Sequence, residues 1–145
     1  MVDIVTQVEI DKPISLVSAY ASDPDNTTSW YVNIDSIEWI TPKPLQVGSL
    51  LAFKARFLGK DLSYTYEVVE SIPNKKFVMR TADGPFPMET TYTWEALSAE
   101  KTKMTLRNRG NPTGFKVFLA PLMKMAMRRA NNNDLQKLKE ILESI

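Results

Sequence analysis

Residues 51–68 read LAFKARFLGKDLSYTYEV, and within this stretch apolar side chains mostly alternate with polar or small ones. Apolar residues take the odd positions from Leu51 to Phe57 and the even positions from Leu62 to Val68. A period of two is typical of a β-strand with one buried face. Because Gly59-Lys60 leaves only a short connection between the two runs, they predict an antiparallel hairpin.

The same period continues towards residue 110. Phe77–Thr81, Met88–Trp94 and Met104–Asn108 each carry apolar, aromatic or neutral polar residues on one face and mainly charged residues or threonines on the other. The connections at Pro73-Asn74 and Ser98–Lys101 are again short enough for hairpins. One face of the predicted sheet is therefore apolar and aromatic, and the other is a solvated ladder of charges that needs no functional explanation.

Helices are predicted on both sides of these strands. Before them, Ile4–Ile10 predicts a further strand, Pro13 suits the start of a short helix, and Ser29–Tyr31 predicts a second helical turn. After them, residues 112–145 carry apolar residues at helical spacing and predict one long helix.

The terminal helix decides the architecture. Asn111 or Thr113 is its expected N-cap, and Pro121 is expected to bend it near its start. About 30 residues make a rod of about 45 Å, whereas a compact chain of this size has a radius of gyration of about 15 Å. Only a strongly curved sheet can wrap such a rod, and the wrapping leaves space between the two. We predict an α+β fold, a single domain over residues 1–145, in which a curved antiparallel β-sheet wraps around a long C-terminal α-helix, with two short helices near the N-terminus.

The composition excludes several kinds of catalytic site. The 145 residues include no cysteine and no histidine. Disulfides, thiol nucleophiles, histidine bases, Ser-His-Asp triads and zinc sites built from these residues are therefore ruled out. We expect no bound metal and no cofactor, and we assign no catalytic residue.

Charge and hydropathy predict the protein's setting. The formal net charge is +1, which argues against a dedicated nucleic-acid-binding protein. Residues 101–145 nevertheless hold ten Lys or Arg against three acidic residues, so the C-terminal segment is the basic part. Asp3 stands where a signal peptide would carry lysines, and polar residues interrupt every apolar stretch. We therefore expect a cytoplasmic protein without integral membrane association.

Seven segments together resemble a known family. In chain order they are VEIDKPISLV (8–17), SDPDNTTSWY (22–31), KPLQVGSLLAF (43–53), FLGKDLSYTYEVVESIPNKKFVMR (57–80), YTWEAL (92–97), TKMTLRNRG (102–110) and DLQKLKEIL (134–142). Their order and spacing over nearly the whole chain resemble the START/Bet v1-like (SRPBCC) superfamily, in particular its polyketide cyclase/dehydrase-like branch. The resemblance implies a helix-grip fold with an apolar ligand cavity between sheet and helix.

The resemblance brings no catalytic residue with it. Family members that act on polyketides use polar or acid–base groups inside the cavity, and no motif of this sequence maps onto those residues one by one. The sequence also has Lys101 before Thr102, where the family often has a Gly-Thr turn before its last strand.

Candidate ligand contacts are the residues predicted to face the space between sheet and helix. They are Trp30, Phe53, Tyr64, Tyr66, Met79, Phe86, Met88, Tyr92, Trp94, Asn108, Phe118, Leu122, Met123 and Ala126. Tyr and Trp bury apolar area and keep a polar group that can orient a ligand, and Met adapts to irregular apolar guests. Ordinary core packing explains the same residue types.

Several features leave alternatives open. Asn108 either orients a ligand carbonyl or bonds the backbone near a strand end. At least one side chain of Asn131–Asn133 is expected to approach the sheet, while the others are solvated. Phe86, in the loop Ala82–Pro87, either closes a cavity mouth or plugs the end of the sheet.

Three functions are compatible with these observations. The first is the binding of a small hydrophobic, lipid-like or polyketide-like molecule without covalent chemistry. The second is a cyclase or dehydratase, which a buried Asp, Glu or Arg in the cavity would favour; the inward positions assigned above are all apolar, aromatic or neutral polar. The third is docking of the basic helix, through Lys124, Arg128 and Arg129, on an acidic partner or membrane surface, although such residues are also typical of a merely solvated face.

Overall fold

In the computed structural model, which describes residues 2–111 and 120–145, seven strands form one curved antiparallel sheet. The strands are β1 (Val2–Ile10), β2 (Ile34–Trp39), β3 (Leu50–Phe57), β4 (Lys60–Ile72), β5 (Lys76–Asp83), β6 (Met88–Ser98) and β7 (Lys101–Gly110). The helices are α1 (Ile14–Ser22), α2 (Thr27–Trp30) and α3 (Ala120–Glu143). This arrangement confirms the predicted α+β, helix-grip architecture.

The first and last strands of the chain pair with each other. The strand order is β1-β7-β6-β5-β4-β3-β2, and β1 pairs with β7 along all nine of its residues. The predicted hairpin turns are confirmed, because residues 58–59, 73–75 and 99–100 connect consecutive strands. Leu58 and Gly59 have φ values of 51° and 76°, and a two-residue turn that follows the strand twist requires positive φ at both positions.

The two faces of the sheet divide as the alternation predicts. The aromatic and aliphatic positions are buried inside, and the outer face carries ion pairs. Glu89 accepts from Arg80 at 2.9 Å and from Arg109 at 3.1 Å, and Asp3 pairs with Arg107 at 2.6 Å. Exposed pairs of this kind contribute less than about 1 kcal/mol each, so they add little to the stability of the sheet.

The long terminal helix is described from Ala120 to Glu143, a length of about 36 Å. Residues 112–119, with the predicted cap at Thr113 and the candidate contact Phe118, lie outside the described residues. Pro121 lies in the first described turn of α3. No helix among residues 2–111 and 120–145 has the length and hydropathy that a membrane span requires.

The interior between sheet and α3 has two halves of different character. In the half that α1 covers, called the core half, leucines of α3 pack against the strands. Its fully or almost fully buried side chains are Ile10, Val17, Leu51, Val68, Phe77, Trp94, Met104, Leu106, Leu135, Leu138 and Leu142. Burying such side chains contributes about 1.5–3 kcal/mol each. The other half, called the cavity half, contains the candidate site.

Candidate functional site

An apolar cavity fills the second half of the interior. It is lined by residues of all seven strands, of α2 and of α3, and its volume is about 140 Å³. An engineered apolar cavity of about 150 Å³ binds benzene, so this cavity can hold an aromatic ring. Because it is partly open to solvent, a larger molecule can extend from it.

The cavity exists because the inward side chains of α3 change along the helix. Leu135, Leu138 and Leu142 fill the core half. One to three turns earlier, the positions that face the sheet are Ala130, Asn131 and two methionines, Met123 and Met127, all of which line the cavity. Because Ala130 and Asn131 are smaller than leucine and leave space that leucines would occupy, the cavity begins where the leucines end.

Nine of the fourteen candidate contacts line this cavity together. They are Phe53, Tyr64, Tyr66, Met79, Phe86, Met88, Tyr92, Asn108 and Met123. Three of their rings form one wall on neighbouring strands: Phe53 and Tyr64 stack with centroids 5.5 Å apart, and Tyr66 lies 5.0 Å from Tyr64. These rings give the cavity an aromatic wall on β3 and β4.

Four candidates lie elsewhere. Trp30 is fully buried, with its ring 4.2 Å from that of Tyr31, and Trp94 packs in the core half. Leu122 is 55% exposed and Ala126 is half-buried, and neither lines the cavity. The placement predicted for Leu122 was wrong, because the phase of α3 turns the neighbouring Met123 inward.

The loop between β5 and β6 forms part of the cavity wall through Pro85 and the half-buried Phe86. Gly84 allows this close approach, since a Cβ there would lie 2.9 Å from Cβ of Tyr64. Phe86 therefore lies against the cavity.

A chain of hydrogen bonds crosses the cavity half from β4 to α3, and we call it the amide chain. Tyr66 Oη lies 3.0 Å from Thr90 Oγ1, which donates to Asn108 Oδ1 at 2.6 Å. Asn108 Nδ2 donates to Asn131 Oδ1 at 3.2 Å. Asn108 thus bonds two side chains rather than the backbone. The prediction that one residue of Asn131–Asn133 approaches the sheet is confirmed, because Asn131 is only 5% exposed.

Two tyrosines form a second polar pair in the same space. The hydroxyls of Tyr31 and Tyr92 lie 2.5 Å apart. Burial raises the pKa of both phenols far above the usual range, and the nearby Asp134 adds to this effect. Burial also raises the pKa of Tyr66 to about 12, against the opposing effect of its bond to Thr90. These tyrosines are therefore neutral near pH 7 and can donate hydrogen bonds.

Asp134 is the buried carboxyl among the described residues that line the cavity. It is 3% exposed, lines the cavity, and its Oδ1 accepts from the backbone N–H of Val32 at 2.9 Å. Burial raises its pKa from 3.8 to about 6, and the Val32 N–H and the charge of Lys137 oppose that shift. A carboxyl with this pKa can both give and take a proton near neutral pH.

Asp134 was not predicted as a site residue, although the sequence contains a signal for it. It lies three residues after Asn131 and four before Leu138, and helical spacing puts all three on one face. The prediction that every inward position is apolar, aromatic or neutral polar was therefore wrong at Asp134. Thr90 was also predicted to face inward, but it was not named as a site residue.

Other chemistry finds less support in the described residues. No group of three Asp or Glu side chains within residues 2–111 and 120–145 could hold a metal ion. The basic residues Lys124, Arg128 and Arg129 are exposed on α3. Lys139 instead bonds the backbone oxygen of Glu9 and the carboxylate of Glu143, so it belongs to the packing of α3 on β1.

Solved structures share this fold at low sequence identity. The protein TTHA0849 of Thermus thermophilus matches with a TM-score of 0.82 and 19% identity, over 95% of this chain and 94% of that one. The Zhui aromatase/cyclase of Streptomyces sp. R1128 matches with 0.80 and 15%, over 97% and 93%. A START superfamily protein of Mycobacterium smegmatis matches with 0.81 and 14%, over 98% and 97%.

The family comparison covers almost the whole sequence. No curated protein matches the chain. The family model described as "Polyketide cyclase / dehydrase and lipid transport" matches residues 1–143. The chain therefore belongs to this family of polyketide cyclases, dehydrases and lipid-transport proteins.

Proposed function

We propose that the protein binds a small, mainly hydrophobic molecule in the cavity between the sheet and α3. The observation that carries the proposal is the apolar cavity itself, bounded by an aromatic wall on β3 and β4 and by flexible methionines on α3. Burying roughly 300 Å² of apolar ligand surface would contribute about 7 kcal/mol before the costs of ordering. The family supports a lipid-like or polyketide-like ligand. We also propose that the protein is cytoplasmic, as the sequence predicts.

Native mass spectrometry of protein purified from cells, together with calorimetric titration of the apolar probe 2-ethylnaphthalene, tests this proposal. We expect a copurifying small molecule or saturable binding of the probe. If native spectra show only the bare chain and the titration shows no binding, the proposal fails.

A matched pair of variants locates the binding. Ala130 lines the cavity, whereas Ala126 lies one turn earlier on the same helix and does not. Ala130→Leu should displace roughly 60 Å² of ligand contact, which costs about 1.5 kcal/mol and weakens binding roughly tenfold. Ala126→Leu should leave the dissociation constant nearly unchanged. Equal effects of the two variants would place the bound probe elsewhere.

Asp134 supports a second candidate function, a dehydratase or cyclase acting on a bound β-hydroxyketone. Its carboxylate would take the proton from the carbon next to the ketone. As the C–O bond of the hydroxyl breaks, the same carboxyl would return that proton, so that the hydroxyl leaves as water and Asp134 is ionised again. The neutral Tyr31–Tyr92 pair would supply a hydrogen bond to the developing enolate oxygen.

The probe reaction for this candidate is the dehydration of 3-hydroxy-1-tetralone, whose enone product tautomerises to fluorescent 1-naphthol. Acceleration by the wild type should rise with pH through about 6, because the ionised carboxyl is the base. It should disappear in Asp134→Asn and persist in Glu140→Gln, the same neutralisation at an exposed site on α3. Acceleration that survives Asp134→Asn would exclude this role of Asp134.

A further inference from the structure

We propose that Asn131 anchors a hydrogen-bond-accepting oxygen of the ligand, such as a carbonyl, through its side-chain Nδ2. In this role it acts as a specificity residue, and the rest of the amide chain positions it. The inference rests on the proposed binding function and adds to it which chemical group the cavity recognises and where.

The first observation is an unpaired donor. Three buried side-chain nitrogens of the described residues have no hydrogen-bond partner: Trp30 Nε1, Trp94 Nε1 and Asn131 Nδ2. Neither tryptophan lines the cavity, whereas Asn131 does. Burying an amide N–H without a partner is unfavourable. A ligand acceptor that bonds this N–H therefore contributes more to the binding free energy than a hydrogen bond to a solvated donor would.

The second observation is the direction of hydrogen bonding along the amide chain, which leaves Nδ2 of Asn131 as its free atom. The Thr90 hydroxyl donates its only proton to Asn108 Oδ1, so in its contact with Tyr66 it must be the acceptor. With its oxygen occupied, Asn108 presents its Nδ2 to Asn131 Oδ1. The free end of the chain is therefore a donor, and all protons along it point towards α3.

The third observation is the contrast with the next turn of the helix. Asp134 follows Asn131 by three residues on the same cavity-lining face and is a hydrogen-bond acceptor when ionised. A ligand carbonyl near Asp134 would meet a like partial charge, whereas near Asn131 it meets a donor. The cavity thus distinguishes where an acceptor oxygen can lie.

A matched pair of probes tests the inference. 2-Acetylnaphthalene carries a carbonyl where 2-ethylnaphthalene carries a methylene, and the two are otherwise alike in size. Calorimetry gives the ratio of their dissociation constants for each variant, and comparing ratios between variants cancels the different hydration of the probes. Asn131→Leu should reduce the preference for the ketone roughly tenfold relative to the wild type. Asn133→Leu, the same change at an exposed neighbour, should leave the ratio unchanged.

The positioning role of the amide chain has its own readouts. Thr90→Val interrupts the chain and should reduce the ketone preference severalfold, while Thr90→Ser, which keeps the hydroxyl, should restore it. In the wild type, the proton signal of the Asn131 side-chain amide should move further downfield on adding the ketone than on adding the hydrocarbon, because only the ketone accepts a hydrogen bond. These two measurements test the inference even where Asn131→Leu does not fold.

The outcomes separate the two proposals. If both probes bind but Asn131→Leu leaves their affinity ratio unchanged, or the Asn131 amide signal moves no further downfield with the ketone than with the hydrocarbon, the inference is overturned and the binding function stands. If neither probe binds the wild type, the inference is overturned, and the binding function is overturned with it where native spectra also show only the bare chain.

Discussion

Neutralising Asp134 should make the protein more stable at neutral pH, and the gain should depend on pH. The pKa of this carboxyl is about 6 in the folded protein against 3.8 as its ordinary value. That difference corresponds to about 3 kcal/mol of unfavourable free energy when the group is ionised. Asp134→Asn removes the charge and keeps an oxygen that accepts from the Val32 N–H, so most of this energy should be recovered.

The direction of the pH dependence follows from how tightly the folded and unfolded chains hold the proton of Asp134. Because the folded-state pKa is raised, the folded protein holds this proton more tightly than the unfolded chain does. The contribution of Asp134 to stability is therefore fully present below about pH 4 and is lost as the pH rises through about 6. Asp134→Asn should match the wild type near pH 4 and exceed it by up to about 3 kcal/mol at pH 7.5.

Urea unfolding followed by tryptophan fluorescence at pH 4, 6 and 7.5 measures this difference, and taking it against the wild type at each pH cancels the other titrating groups. Glu140→Gln is the matched control on the exposed face of α3 and should change stability by less than about 0.5 kcal/mol. A variant no more stable than the wild type at pH 7.5, or a gain independent of pH, would refute the burial argument.

Two further predictions concern the rest of the interior. Tyr31→Phe leaves the buried Tyr92 hydroxyl without its partner at 2.5 Å and should lower the free energy of unfolding by about 1–3 kcal/mol. The double variant with Tyr92→Phe should lose less than the sum of the single changes, and strict additivity would contradict the pairing. Leu138→Ala should cost about 2–5 kcal/mol, against less than about 0.5 kcal/mol for Leu122→Ala; comparable losses in urea unfolding would contradict the assigned phase of α3.

The strands, their faces and their turns were predictable because their signals are local. A period of two assigns each residue of Leu51–Phe57 to a face regardless of what packs on it, and the turn at Leu58-Gly59 needs only a short connection. The same signal does not say how far along the interior a residue lies. Trp94 faces inward as predicted, yet it belongs to the core half because α1 covers that end of the sheet.

The helix positions were less predictable because adjacent apolar residues compete for one face. Leu122 and Met123 fit the helical spacing almost equally, and packing on the sheet selects Met123. Polar residues were hard to place for a different reason, because their composition indicates a solvated turn even where they face inward. Asn131 and Asp134 belong to a run, NNND, whose composition is typical of a solvated turn of helix. Only the phase set by Leu138 and Leu142 reveals that two of these residues face inward.

The division of the interior explains how the chain tolerates those two polar residues. A buried carboxyl and an unpaired amide both lower stability, and natural proteins keep such groups mainly where function needs them. Here both follow the methionines and lie next to Leu135, so the leucines of the core half can supply the packing energy that the cavity half lacks. Because the two halves use different residues of the same helix, substitutions in the core half should change stability with little effect on ligand selectivity. Substitutions at Asn131 or Asp134 should do the reverse, or even raise stability while selectivity is lost.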